Sequence, residues 1–189
     1  MHADNWANKA KQEGYRTRAV YKLEEILQKT KSLKRTQNVL DLGSAPGGWA
    51  HYIKKKSPNS VVYAIDILDM EAVDGVYFFQ NSIEEIDNID SISSKMGSFG
   101  LVISDIAPNL TGINAIDIEN IYELNILTLD TAAKYLNKSH GSFIMKTFQN
   151  SMLKNLRKKM ELSFKIVQTF KPAASKKQSG EIFLYGAYK

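Results

Sequence analysis

One stretch of the sequence decides the fold: Val39-Leu40-Asp41-Leu42-Gly43-Ser44-Ala45-Pro46-Gly47-Gly48-Trp49. A short apolar run, residues 38–42, ends at a glycine, and a helix-like segment follows over residues 48–56. In an open α/β sheet, ligands bind beyond the carboxyl ends of the strands, where glycines let the backbone approach closely. The stretch therefore predicts a strand, a ligand-binding loop and a helix, in that order.

The glycines of this loop indicate what kind of ligand it holds. Counted from Gly43, the spacing is Gly-x-x-x-Gly-Gly, whereas a dinucleotide pyrophosphate is cradled by Gly-x-Gly-x-x-Gly. Pro46 also lacks the N–H that would donate to a phosphate. The loop thus favours a ligand without a pyrophosphate, such as S-adenosylmethionine, and argues against a nicotinamide-dependent dehydrogenase. A glycine-rich turn of purely structural purpose is the alternative.

Outside this stretch, strand-like and helix-like segments alternate along the chain. Strands are predicted at 61–65, 76–79, 101–104, 142–146, 164–170 and 182–188, and helices at 18–29, 118–136 and 152–160. Strands separated by helices predict an α/β fold, a doubly wound, mostly parallel seven-stranded sheet with helices on both faces. Because no helix separates the last two strands, one antiparallel strand is expected near the C-terminus.

The same patterns predict how the chain is organised. The polar residues 87–98 indicate a surface loop inside the domain, since they are rich in serine and asparagine. Residues 1–189 are expected to form a single domain, on which a basic helical segment, residues 1–30, packs.

The composition of the chain bears on its metal and disulfide sites, its location and its partners. The chain has 189 residues, a net charge of +5 and no cysteine, so it has neither disulfides nor a thiolate metal site. Its three histidines lack ligand spacing, and no metal is expected. No apolar run is long enough to cross a bilayer. We therefore expect a soluble, intracellular monomer, cytoplasmic or in an organelle such as the mitochondrion if a transit peptide has been removed. The basic charge is compatible with a nucleic-acid partner.

Asp66 closes the second strand, 23 residues after Gly43. An acidic residue at this place can accept hydrogen bonds from the ribose hydroxyls of an adenosine. A helix N-cap is the alternative reading of Asp66.

Six segments of the chain form an ordered set of motifs: residues 10–23, 41–49, 66–68, 104–109, 145–149 and 179–182. In these segments the chain resembles the RrmJ/FtsJ family of 2′-O-ribose RNA methyltransferases, nearly end to end. Several such motifs in the right order make a chance match improbable.

The resemblance implies a catalytic tetrad and a cofactor site for S-adenosylmethionine. By motif position, the tetrad consists of Lys22, Asp105, Lys146 and Glu181. The cofactor site is drawn from Gly43, Ala45, Pro46, Gly47, Gly48, Trp49, Asp66, Ser82 and Asp105. One departure is that Ser82 stands where the family often has an acid that reads the adenine amino group.

The chemistry of the tetrad follows from what a ribose hydroxyl needs. Such a hydroxyl is a poor nucleophile at neutral pH, so a positioned base accelerates its attack. Two amines that face each other in a partly desolvated cleft favour the neutral form of one of them. We assign Lys146 as the base, with Lys22 helping to keep that amine neutral and positioning the hydroxyl. Asp105 and Glu181 would orient the two amines.

Basic residues flank members of the tetrad in sequence and predict an RNA-binding surface. They are Lys9, Lys11, Arg16, Arg18, Lys176 and Lys177, with Lys171 beside the second group. Tyr15 and Tyr21 either stack on a base or pack in the core.

Within the family, the compact chain is most similar to the members that act on large-subunit ribosomal RNA. The resemblance then implies an rRNA (uridine-2′-O-)-methyltransferase, acting on ribosomal RNA or on a large ribosomal subunit. A tRNA or mRNA-cap 2′-O-methyltransferase and a non-catalytic RNA-binding scaffold remain the alternatives.

Overall fold

The computed structural model describes residues 3–34, 36–176 and 178–188, and these form one seven-stranded sheet. The strands are β1 Asn38–Leu42, β2 Val61–Asp66, β3 Val76–Gln80, β4 Leu101–Ser104, β5 Ser142–Phe148, β6 Ile166–Phe170 and β7 Glu181–Ala187. The helices are α1 Ala3–Gln12, α2 Val20–Thr30, α3 Gly48–Lys56, α4 Asp90–Ser93, α5 Asn114–Tyr135 and α6 Leu153–Ser163, with a 3₁₀ helix at Ile83–Asn88.

The strand order is β3-β2-β1-β4-β5-β7-β6, and it creates a crevice at the centre of the sheet. From β1 the chain first builds outward through β2 and β3, and then returns to place β4 on the other side of β1. Ligands bind at this kind of switch point, outside the carboxyl ends of the two central strands. The loop after β1 and the loop after β4 meet there.

The last strand is the one that breaks the parallel pattern. β7 lies between β5 and β6 and is antiparallel to both, with Lys146 paired to Phe183 and Phe148 paired to Glu181. The predicted mostly parallel sheet with an antiparallel strand near the C-terminus is confirmed. As a result, β7 begins at the same edge of the sheet at which the parallel strands end.

Both faces of the sheet are covered by helices, so its central strands are buried on both sides. On one face, Val39 and Ile144 pack in a cluster with residues of α2 and α3. On the other face, Leu40 and Leu42 pack with residues of α5 and α6. Since side chains alternate along a strand, Asp41 shares the α2 and α3 face with Val39.

The structure corrects two of the predicted segments. Residues 87–98, predicted as a loop, include the end of the 3₁₀ helix and α4, which bury Ile86 and Ile92. Helix α5 begins at Asn114 rather than at 118, because the Asp117 carboxylate accepts hydrogen bonds from the N–H groups of Thr111 and Gly112 and fixes the first turn. Among the helices of the described ranges, none combines the length and apolar character that crossing a bilayer requires.

Candidate active site

The loop after β1 needs glycine at its first position because the loop after β4 presses against it. Gly43 has φ +73°, and a Cβ there would lie 1.9 Å from Cγ1 of Ile106. Gly47 has φ +89° and turns the chain into α3, against Met70 and Arg16. Both glycines therefore shape the loop, and Gly43 allows its contact with the residues after Asp105.

Arg16 holds this loop from outside. Its guanidinium donates to the carbonyl oxygens of Pro46 (2.9 Å), Glu71 (2.7 Å) and Ala72 (2.6 Å). These three bonds join the segment before α2 to the glycine loop and to the segment after β2. Arg16, which the sequence predicts as an RNA contact, thus donates these hydrogen bonds to carbonyl oxygens of the protein itself.

A cavity of about 560 Å³ opens beside the glycine loop, at the carboxyl ends of β1, β2 and β4. Asp66 lies in its wall, with Oδ2 accepting from the Ala45 N–H and Oδ1 from the Leu68 N–H. No helix begins after Asp66 within residues 67–75, so the N-cap reading of that residue is wrong. A carboxylate has about four acceptor sites, so Asp66 can accept further hydrogen bonds from a ligand. Besides Asp66, the cavity is lined by residues that include Gly43, Ala45, Ser82, Glu84, Asp105, Ile106 and Leu127.

Ser82, which follows β3, also lines this cavity. Its side chain caps the 3₁₀ helix by accepting from the Glu84 N–H, and its hydroxyl contacts the Glu84 carboxylate. That bond is the first cause of a pKa of Glu84 below the usual range for glutamate. An ionised carboxylate therefore lines the cavity two residues after Ser82.

A smaller recess behind the glycine loop contains a residue that the sequence analysis did not single out. The side chain of Asp41 is buried, and its Oδ2 has no hydrogen-bond partner. Burial, together with the charges of Asp105 and Asp66, raises the pKa of Asp41 well above the usual range. The recess is also lined by Thr17, Ala19, Gly43, Ser44, Ala45, Pro46, Gly48, Trp49 and Asp105. In the sequence, the one sign of this residue is an aspartate inside the apolar run of β1, and its burial is seen only in the structure.

Trp49 closes this recess and ties α2 to the loop. Its indole N–H donates to the Ala19 carbonyl oxygen at 2.9 Å, and its ring packs against Phe183. The side chain is almost fully buried. Trp49 therefore contributes a wall of the recess and a tether to the segment that leads to Lys22.

Lys146 and Asp105 form the first ion pair of the site. The Lys146 ammonium donates to the Asp105 backbone carbonyl and lies 3.1 Å from its Oδ1. That approach to Oδ1 is an ion contact without an aligned hydrogen bond, so Oδ1 keeps an acceptor unused. Burial raises the pKa of Asp105, although the charges of Lys146 and Lys22 oppose the rise.

Lys22 and Glu181 form the second ion pair. The Lys22 ammonium lies 2.8 Å from Oε1 and 2.9 Å from Oε2 of Glu181, and both side chains are largely buried. Burial acts to raise the pKa of Glu181, but the hydrogen bond and charge of Lys22, with a hydrogen bond from Ser175, outweigh it. The pKa of Glu181 therefore lies below its ordinary value.

The two ion pairs meet around Phe183. This residue is the cross-strand partner of Lys146, and its ring centroid lies 5.7 Å from the Lys22 ammonium. Side chains directly opposite in an antiparallel pair share a face of the sheet. The structure thus brings the four predicted tetrad residues together on one face at the carboxyl edge.

The predicted RNA-binding residues lie on α1, before α2 and in the loop before β7. Lys9 contacts Glu13 and lies over the rings of Trp6 and Tyr21. Lys11 and Lys176 are exposed, and Lys177 lies outside the described residues. Arg18 lies just before α2.

Tyr15 and Tyr21 pack in the core. They are only 8% and 4% exposed, and they sit in an aromatic cluster with Tyr52. Both phenols are enclosed by other side chains, which makes base stacking the wrong reading of these two residues.

Comparison with known proteins gives a consistent result. The model of the FtsJ-like methyltransferase family matches residues 15–189. A ribosomal RNA large subunit methyltransferase E from Dechloromonas aromatica is 37% identical over 186 residues, which cover 97% of this chain and 90% of that protein. The protein of the same name from Neisseria meningitidis serogroup B is 40% identical over 189 residues, with 98% and 91% covered.

Solved structures agree with the sequence relatives. A protein described as a ribosomal RNA methyltransferase from Plasmodium falciparum superposes with a TM-score of 0.77 at 28% identity, covering 92% of this chain and 97% of that one. Fibrillarin in its complex with Nop5p gives a TM-score of 0.58 at 18% identity, covering 81% and 72%. The second likeness concerns the fold alone.

Proposed function

The chain belongs to the FtsJ-like methyltransferase family, and from that premise we propose that it transfers a methyl group from S-adenosylmethionine to a ribose 2′-hydroxyl of large-subunit ribosomal RNA. One observation carries the proposal. Two lysine–carboxylate pairs, Lys22–Glu181 and Lys146–Asp105, converge beside a cavity at the switch point of the sheet.

The residues around the cavity fit S-adenosylmethionine. This ligand carries a positive ammonium and a positive sulfonium, and the recess offers the unpaired Oδ2 of Asp41 and the unused acceptor of Asp105. Asp66 would accept from the ribose hydroxyls, and Glu84 stands at the end where the adenine ring would lie. When bound, the cofactor supplies an activated methyl group.

The four charged residues then have distinct tasks. Lys146 acts as the base: once its ammonium has released a proton, the amine takes the proton from the 2′-hydroxyl as that oxygen attacks the methyl carbon. Lys22 positions that hydroxyl, while Glu181 holds the Lys22 ammonium and Asp105 holds Lys146. Alignment of the oxygen with the methyl carbon, about 3 Å away, is the main task of a site of this kind. Proton removal adds about 10²–10⁴-fold.

Three features support ribosomal RNA as the substrate. The relatives named above are called large-subunit ribosomal RNA methyltransferases. The chain carries a net charge of +5, and its exposed lysines on α1 and before β7 suit phosphate contacts, which position RNA without reading its sequence. A uridine is the acceptor that we propose, and the protein is proposed to act as a monomer.

A methyl-transfer assay tests the proposal. The protein is incubated with tritiated S-adenosylmethionine and either free ribosomal RNA or large ribosomal subunits, and the modified ribose is mapped by alkaline-hydrolysis resistance. We expect label at one ribose, and at least about 10²-fold slower labelling with Lys146→Ala. A folded protein that binds the cofactor but labels no RNA would contradict the proposal and favour a scaffold. Label on tRNA or capped mRNA alone would change the substrate class.

A further inference from the structure

The loop between β6 and β7 is fastened to α2 and to the start of β7. The Glu25 carboxylate on α2 accepts from the Ala173 N–H at 2.8 Å. The Lys171 ammonium donates to the carbonyl oxygen of Ser179 and, at 2.6 Å, to that of Glu181. These bonds hold the loop at Ala173 and at Ser179, on either side of its middle, and at Glu181, where β7 begins.

Inside this loop, one hydroxyl reaches the carboxylate itself. Ser175 is only 7% exposed, and its Oγ donates to Oε1 of Glu181 at 2.8 Å. The same Oε1 lies 2.8 Å from the Lys22 ammonium, which is also 2.9 Å from Oε2. Hydrogen bonds to an ionised acceptor are strong and directional. Ser175 and Lys22 together thus fix the plane and position of the carboxylate.

We infer that Ser175 is a positioning residue for methyl transfer: its hydroxyl holds the Glu181 carboxylate in the place from which that carboxylate orients the Lys22 amine. This inference rests on the proposed function for its catalytic meaning. The structural part, a hydroxyl that donates to the Glu181 carboxylate and aligns it, stands without it. Ser175 lines neither the cavity nor the recess proposed for the cofactor, and its hydroxyl acts through Glu181.

The pKa of the Glu181 carboxyl group depends on the neighbouring charged side chains as well as on Ser175. Lys22 on α2 and Lys146 on β5 are the cations that favour the ionised form, whereas Asp105 after β4 is a second carboxylate in the same cleft. Lys171 binds the backbone carbonyl of Glu181, not its side chain. Ser175 is the neutral donor in this set, and its bond is among the causes that lower the pKa of Glu181. Removing the hydroxyl should therefore raise that pKa.

The test follows the Glu181 carboxyl carbon by NMR in protein labelled with ¹³C at glutamate side chains. The resonance is assigned by its loss in Glu181→Gln. We expect Ser175→Ala to move the Glu181 titration to higher pH, and Ser175→Thr, which keeps a hydroxyl, to return it. In the RNA assay, Ser175→Ala should lower kcat about tenfold, equal to about 1.4 kcal/mol of lost stabilisation. KM for RNA should change by less than about twofold, since an aligning group acts on the chemical step.

Ser179→Ala is the matched control. Its hydroxyl accepts from the Glu181 backbone N–H at 3.1 Å and belongs to the same loop, but the bond involves the main chain rather than the carboxylate. We expect Ser179→Ala to leave the Glu181 titration in place. An unchanged titration in Ser175→Ala, or an equal shift in both variants, would overturn the inference. The NMR measurement needs no substrate, so a wild-type protein that methylates no RNA would refute the proposed function and leave this test readable.

Discussion

Lys22 and Glu181 are separated by 159 positions in the sequence, yet the lysine ammonium lies within 2.9 Å of both carboxylate oxygens. The contact joins α2, which covers one face of the sheet, to the first residue of β7. An ion pair this enclosed is costly to break on one side only, because the partner is left as an unpaired buried charge. Both members must therefore be kept for the site to keep its shape.

Lys146→Ala should abolish most of the methyl transfer and leave cofactor binding nearly intact. Loss of a general base costs about 10²–10⁴-fold in rate. Single-turnover rates with tritiated cofactor measure the loss, and calorimetry measures cofactor affinity. Lys95→Ala, on the turn after α4, is the control and should keep the wild-type rate. A Lys146→Ala protein with more than about a tenth of the wild-type rate would rule out Lys146 as the base.

Asp41→Asn should stabilise the cofactor-free protein and weaken cofactor binding. The pKa of Asp41 is higher in the folded protein than in the unfolded chain. As pH rises from the unfolded pKa to the folded pKa, ionisation of Asp41 therefore destabilises the folded protein increasingly. Asp41→Asn should therefore raise the free energy of unfolding by about 1–3 kcal/mol at pH values above the folded pKa of Asp41. At pH values below the ordinary aspartate range, the variant and the wild type should be equally stable. Denaturant unfolding at several pH values measures it. Equal stability at every pH would contradict the assignment of an unpaired buried carboxylate.

Arg16→Lys should lower cofactor affinity and the melting temperature, because a point charge cannot replace three donors in a planar fork. RNA binding should keep its salt dependence. By contrast, Lys11→Ala should reduce the slope of log affinity against log salt by roughly one phosphate contact. Fluorescence anisotropy over a salt series separates the two variants. A reduced slope in Arg16→Lys would show that this guanidinium contacts phosphate after all.

Gly43→Ala should disrupt the site in two ways that a double variant can separate. The new Cβ would collide with Ile106, and the φ of +73° disfavours a side chain. We expect a loss of roughly 1–3 kcal/mol in the free energy of unfolding. Gly43→Ala should lower the free energy of unfolding less in the Ile106→Ala protein than in the wild type. The shorter side chain at 106 removes the collision, whereas the unfavourable φ of residue 43 remains. No recovery at all would mean that the collision is not the cause.

Most of the fold could be predicted because its signals are local. The apolar runs at 38–42 and 101–104 are β-strands with the predicted bounds, and the antiparallel strand followed from the missing helix between the last two runs. The start of α5 was misjudged because it depends on a carboxylate, Asp117, that reaches back to the preceding loop. That contact leaves no trace in the apolar periodicity.

The candidate site was predictable only in part. Motif order pointed to all four members of the tetrad, but it could not reveal which further charged or polar groups support them. Asp41 is distinguished by its burial, Arg16 by bonds to carbonyls 30 to 56 positions away, and Ser175 by a contact with Glu181. All three depend on segments that meet only when the sheet is assembled.

The place of β7 between β5 and β6 has a consequence for biosynthesis. β5 and β6 are synthesised before β7, and β6 pairs in the sheet with β7 rather than with β5, so β6 can join the sheet only after β7 has emerged. Glu181 arrives with that strand, and the second ion pair arrives with Glu181. A chain that ends before β7 would have the glycine loop but would lack Glu181 and the Lys22–Glu181 ion pair. We therefore expect such truncated translation products to have no methyltransferase activity, rather than a weak one.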